Sequence, residues 1–225
     1  MSGKNSAVSP KIYQLKVTLL GTRPPIWRRL LAPSDLNLTQ LHDVLQVAMG
    51  WQDGHLHEFR AGGRRFGPPN PEDQFMADDV GDERKVRVFA LFGRTGAKAI
   101  YTYDFGDTWE HSIVLEKLLP ANPNMIYPIC TDGQIACPPE DCGGIPGFND
   151  LLDALLDPTH EEYQELRHWV GGDYDPELFS IEAVIRILSR LIPAAVEGHR
   201  PALGRWPGKQ IPFLQRNRLP TTRRM

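Results

Sequence analysis

In the run Tyr103-Asp104-Phe105-Gly106-Asp107-Thr108-Trp109-Glu110-His111, two aspartates, a glutamate, a histidine and a tryptophan crowd around one Gly-Asp dipeptide. Core strands seldom carry so many ionisable groups, and solvated loops are seldom so aromatic. The pattern predicts a hairpin whose tip presents a polar surface. With Gly106-Asp107 as a two-residue type II′ loop, Phe105 opposes Thr108, Asp104 opposes Trp109 and Thr102 opposes His111. Alternation then puts Thr102, Asp104, Trp109 and His111 on one face with Ile100, Ile113 and Leu115. Asp104 and His111 become diagonal neighbours about 7 to 8 Å apart at the backbone. Such a carboxylate–imidazole pair can fix a histidine tautomer, raise its pKa, or orient it as a base or metal ligand. It can equally be a half-buried pair that satisfies only itself.

Two further groups could join it. His55-Leu56-His57 puts two imidazoles on one face of a strand, with Glu58 adjacent. A metal site there needs a third ligand, and His111 or Asp104 is the first choice. His55, His57, His111 and Asp104 are therefore the candidate ligands, and a divalent metal is the cofactor they suggest. Cys137-Pro138-Pro139-Glu140-Asp141-Cys142-Gly143-Gly144 lacks the second ligand pair of a structural zinc site. It reads instead as a rigid turn that carries Glu140 and Asp141 to a surface. The candidate ligand-binding residues are thus Asp104, Asp107, Trp109, Glu110, His111, Glu140 and Asp141. No phosphate loop, Gly-x-Ser-x-Gly elbow or His-Glu-x-x-His helix is present.

These residues must be held by a sheet and helices that the hydrophobic periods outline. Tyr13, Leu15, Val17 and Leu19 alternate along a half-buried strand, and a second short strand runs from Ile26 to Leu31. Leu38, Leu41, Leu45, Ala48 and Met49 recur at helical spacing, with Asn37 or Thr39 as N-cap and Gly50 as the stop. Hairpins are expected over His55–Phe66, turning at Gly62-Gly63, and over Ile100–Leu118. Residues 67–82 read as a loop, 86–92 as a strand, and Tyr127–Thr131 as a strand ending at an Asp132-Gly133 turn. Helices then dominate. One carries Leu151, Leu152, Leu155 and Leu156. A second opens on a Thr159–Glu162 capping box and reaches Trp169, which packs with Tyr174 beyond a glycine stop. A third starts at Ser180, with Ile181, Val184, Ile185, Leu188 and Leu191 inward. Strands first and helices later predict an α+β fold: a hairpin-rich antiparallel sheet, one helix after the second strand, and about three C-terminal helices packed on it.

The composition of this 225-residue chain is that of a soluble globular protein, and no stretch is long and apolar enough for a membrane span. Three cysteines make no disulfide framework, and a cytoplasmic location is the expectation. The net charge of −3 hides an asymmetry. Residues 199–225 carry seven basic and no acidic side chains, leaving 18 Lys and Arg against 28 Asp and Glu in the rest. An acidic body binds phosphate backbones poorly, so any nucleic-acid contact falls to the tail. The chain divides into a polar N-terminus (1–10), a domain (11–192) and a basic Pro/Arg-rich tail (193–225).

The His55-Leu56-His57-Glu58-Phe59 run, the Tyr103–His111 block, the Cys137–Gly144 turn, and Trp169 with Tyr174-Asp175-Pro176-Glu177-Leu178-Phe179 resemble the plasmid pRiA4b open-reading-frame-three-like family. The resemblance implies a compact α+β domain found on plasmids, transposable elements and chromosomes, without an established activity. Some relatives carry a transposon-resolvase label, but no activated Ser amid catalytic arginines supports that chemistry here. Three functions follow from the residues. The first is an accessory module that binds an unknown small ligand or protein in a polar cleft walled by Trp109. The second is a metal-assisted hydrolase with Glu140 or Glu110 as base. The third is a nucleic-acid accessory protein using the tail's arginines with Trp206 and Phe213.

Overall fold

The structure, a computed structural model, describes residues 11–69, 80–172 and 174–191. Its centre is an eight-stranded sheet in the order β5-β4-β3-β6-β7-β1-β2-β8. The strands are β1 (Ile12–Leu19), β2 (Trp27–Pro33), β3 (His57–Ala61), β4 (Arg64–Gly67), β5 (Val80–Asp82), β6 (Lys98–Tyr103), β7 (Trp109–Leu119) and β8 (Ile129–Gln134). Neighbours run antiparallel except β4 and β5, which are parallel. The α+β expectation holds.

Helix α1 (Leu38–Met49) follows β2 and closes the core. Asn37 and Gln40 cap each other's backbone N–H groups, and Gly50 ends the helix at φ 92°. Its Leu38, Leu41, Val44, Leu45 and Ala48 join Leu15, Val17, Leu19 and Leu30 of the sheet in one buried cluster. The C-terminal helices are α2 (Gly144–Leu156), α3 (Tyr163–Trp169) and α4 (Ile181–Leu191). Ala183, Val184, Ile187, Leu188 and Leu191 form the buried stripe of α4.

Several local expectations give way to packing. Residues 86–92 form no sheet strand: short 3-10 turns at Glu83–Lys85 and Val88–Ala90 bracket Val86, and the Val88 N–H donates to Leu36 O at 2.8 Å. The Asp132-Gly133 dipeptide lies inside β8 rather than ending it. Gly133 is needed because a Cβ there would meet the Phe179 ring at 2.4 Å. The Thr159–Glu162 capping box does not form, since the Thr159 hydroxyl and N–H both bond Asp157. Trp169 is 47% exposed, whereas Tyr174 is buried with its hydroxyl donating to Cys137 O. Residues 1–10 and the tail beyond 191 lie outside the described residues.

Candidate functional site

The β6–β7 hairpin differs from its expected register by one residue. Tyr103 pairs with Trp109 and Tyr101 with His111, leaving a five-residue loop, 104–108, in place of a two-residue turn. Asp104 (φ 56°) and Thr108 (φ 56°) take the left-handed conformation, and Gly106 does not. Asp104 explains this: its Oδ1 accepts the N–H groups of Gly106 and Asp107, an Asx turn that a type II′ loop would not provide.

The consequence is a different inward set on β6: Tyr101 and Tyr103, not Thr102 and Asp104, lie beside Trp109, His111 and Ile113, and all five are buried. Trp109 is no cleft wall; it lies in the core, its ring 6.0 Å from that of Trp51. His111 is fully enclosed and makes no bond to Asp104. Its Nδ1–H donates to Tyr101 O at 3.2 Å, and burial pushes its pKa down to about 4. Glu110 alternates to the opposite face and pairs with Arg60. His55 and His57 do not share a strand face either. β3 begins only at His57, which is buried with Nε2 2.7 Å from Glu83 Oε2.

What does converge is the hairpin tip, the segment before β3, and the Cys-Pro-Pro turn. His55 Nδ1 lies 3.6 Å from Asp104 Oδ2, and His55 Nε2 lies 3.2 Å from Asp141 Oδ1. One ligand atom from each of these three residues falls within 4.8 Å of the others. Glu140 and Asp107 stand beside them but are already engaged. Glu140 accepts the Tyr103 hydroxyl at 2.5 Å and the Gln52 N–H at 3.1 Å, while Asp107 Oδ2 accepts the Gly143 N–H. Burial, then the Glu140 carboxylate, raise the Tyr103 pKa, so its hydroxyl stays a donor. Asp141, like Asp104, is left-handed (φ 61°), a conformation that short polar side chains tolerate.

Gly144 (φ 68°) makes the approach possible, because a Cβ there would sit 2.6 Å from Asp107 O. Gly144→Ala is therefore expected to cost about 2 kcal/mol from left-handed strain and displaced backbone. Chemical denaturation measures it, and an unchanged midpoint would mean the two loops separate freely.

A second polar group was not legible in the motifs. His42 and Gln46 of α1, with Tyr101 of β6 and Asp53, form a buried network beside the His57–Glu83 pair. The His42 and His57 rings stack at 3.5 Å with 8° between planes. Burial lowers the His42 pKa more than Asp53 raises it, keeping the ring neutral. A signal existed: His42 and Gln46 are polar residues four apart on one side of a helix whose inward residues are mostly apolar. Arg28 was also missed. It alternates with Leu30 and Ala32 on the buried face of β2 and is 1% exposed.

An α+β domain with its polar groups on converging loops is the class these features define. The chain belongs to the family described as Plasmid pRiA4b ORF-3-like protein, which it matches over residues 11–183. It is 43% identical over 166 residues to the uncharacterized protein y4hQ of Sinorhizobium fredii (strain NBRC 101917 / NGR234), covering 73% of this chain and 84% of that one. Its fold is similar to the crystal structure of a protein of unknown function, MM3350, from Methanosarcina mazei Go1. The TM-score is 0.70 at 38% identity, over 77% of this chain and 97% of the other. Among the described residues no helix is long and apolar enough to cross a membrane.

Proposed function

We propose that this domain is a binding module whose cleft holds a divalent cation at His55, Asp104 and Asp141 and uses the cation's open positions to take a polar ligand. One observation carries the reading: three residues from three loops far apart in sequence bring metal-competent atoms within 4.8 Å of one another. Electrostatics support it. Buried Asp104 and exposed Asp141 meet there, with Asp107 and Glu140 adjoining in sequence, and the described ion pairs of these carboxylates go to His55 alone. Like charges 4 Å apart repel by about 1 kcal/mol in water and about 4 kcal/mol near a protein surface. A dication relieves that repulsion. Mixed imidazole and carboxylate donors suit zinc, manganese, nickel or ferrous iron.

The hydrolase reading finds less support. Both Glu140 oxygens are occupied, and Glu110 belongs to the other face, so neither suggested base is available.

The test is thermal unfolding of chelator-stripped, untagged protein with each cation added. At a hundredfold excess over Kd, binding stabilises by about 2.7 kcal/mol, an upward shift of about 5 to 10 °C for a domain of this size. His55→Ala and Asp141→Asn should fold normally and lose that shift. The proposal fails if no cation moves the wild-type transition, or if both variants respond as the wild type does.

A further inference from the structure

Beneath the Trp51–His55 segment, four side chains close a hydrogen-bonded ring whose proton positions are determined. The Asp53 N–H donates to Gln46 Oε1 at 3.0 Å, which orients the amide so that Gln46 Nε2 donates to the Tyr101 hydroxyl at 2.9 Å. The hydroxyl's other partner is His42 Nδ1 at 2.8 Å. If Nδ1 also donated, the Tyr101 proton would be buried without an acceptor. Tyr101 therefore donates to Nδ1, and a neutral imidazole then carries its proton on Nε2. That proton goes to Asp53 Oδ1 at 2.7 Å, and the ring returns to the residue on which it began. Tyr101 and Gln46 are wholly buried and His42 is 3% exposed. A misplaced proton would leave an unpaired buried group, at a cost of about 1 to 3 kcal/mol.

The ring and two neighbouring side chains grip one short segment. Gln52, Asp53 and Gly54 each donate their backbone N–H to a side chain: Glu140, Gln46 and the Tyr103 hydroxyl respectively. Asp53 sits between them in the left-handed conformation at φ 58°. His55 is the next side chain out, its ring edge-on to Tyr103 with centroids 5.8 Å apart.

We infer that the Gln46–Tyr101–His42–Asp53 ring is a positioning device, which sets the Asp53 backbone and thereby delivers His55 to Asp104 and Asp141. The inference rests on the cation-site reading for its functional meaning. It also assigns a role to a competing constellation: His42, Asp53 and His57 offer three ligand atoms within 4.8 Å, like the group around His55. In the ring, His42 Nε2 holds a proton for Asp53 and is not a free lone pair for a metal.

Three substitutions test it, followed by NMR of the metal-free protein and by Mn2+ titration. Tyr101→Phe removes the link between Gln46 and His42, and Asp53→Ala removes the final acceptor. Asp53→Asn keeps an oxygen for the His42 Nε2–H. In wild type and Asp53→Asn, the His42 tautomer should be Nε2–H, and the His55 Hε1 resonance should keep its ring-current shift from Tyr103. In Tyr101→Phe and Asp53→Ala that shift should collapse toward the free-histidine position, and Mn2+ should bind about 10 to 100-fold more weakly, as when other supporting hydrogen bonds behind a metal ligand are cut. An unmoved His55 resonance in both disrupting variants overturns the inference, whatever the cation affinity. A loss of Mn2+ binding in Asp53→Asn equal to that in Asp53→Ala also overturns it, because Asp53 would then be acting as a charged ligand. Absence of Mn2+ binding in the wild type would sink the cation reading alone, leaving the His55 resonance to decide the ring.

Discussion

Arg28→Ala should remove about 4 kcal/mol of unfolding free energy, measured as a urea midpoint shift at constant slope. Among the described residues, Arg28 is a buried cation with no carboxylate partner. Its Nε donates to Ala48 O at 2.9 Å, and Nη1 donates to Trp27 O at 2.8 Å and to Gln134 O at 2.9 Å. Nη2 points at Cys137 Sγ at 3.4 Å, and the guanidinium lies 3.7 Å from the centre of the Phe179 ring. One side chain thus ties together the C-terminus of α1, the edge strand β8, the Cys-Pro-Pro turn and the segment entering α4. Burial lowers its pKa, but a guanidinium starts so high that it stays charged. Truncation leaves the Ala48 carbonyl buried without this donor, removes the bonds to the part-buried Trp27 and Gln134 carbonyls, and opens a cavity beneath Phe179. Opposing this, the alanine variant no longer has to desolvate a cation. Arg28→Met, which keeps the volume, separates the two effects: it should recover about half the loss. A loss below about 1 kcal/mol in Arg28→Ala would mean that desolvation cancels the hydrogen bonds.

Acid should weaken the fold through His111 between about pH 6.5 and pH 4. The folded pKa, pushed down to about 4 by burial, lies below the roughly 6.5 of an unfolded histidine. In that window the unfolded chain takes up a proton that the folded chain refuses. The contribution is therefore complete above pH 6.5, shrinks as pH falls, and levels off below the folded value. About 2.5 units of difference correspond to about 3 kcal/mol. His42 is depressed in the same direction, so the wild-type decline contains both groups. His111→Leu isolates one of them. Its unfolding free energy should match the wild type's pH dependence less about 3 kcal/mol between pH 7 and pH 4, and parallel curves would show that His111 gains its proton without cost.

The elements were legible where a single residue's neighbours along the chain decide its burial. β1 alternates because one face meets α1, and α1 starts at Asn37 and stops at Gly50 because the caps are local chemistry. The hairpin at 98–119 was legible as a hairpin but not in register. The deciding contact, Asp104 Oδ1 holding two N–H groups of its own loop, added three residues to the turn and exchanged the inward set on β6 from Thr102 to Tyr101 and Tyr103. His111 and Trp109 keep the face expected of them, but their neighbours on β6 are now Tyr101 and Tyr103, and that face is core rather than cleft.

The amino-acid order by itself determined the family, the α+β class, and which loops carry the acidic and imidazole groups. Those properties follow from residue types and short periods. Only the tertiary structure decided which of those groups meet: His55 with Asp104 and Asp141, His57 with Glu83, and Arg28 with three carbonyls. Each of these contacts joins segments brought together by strand order and by close approaches at Gly133 and Gly144. Such meetings depend on the packing of the whole sheet, and no local pattern along the chain records it.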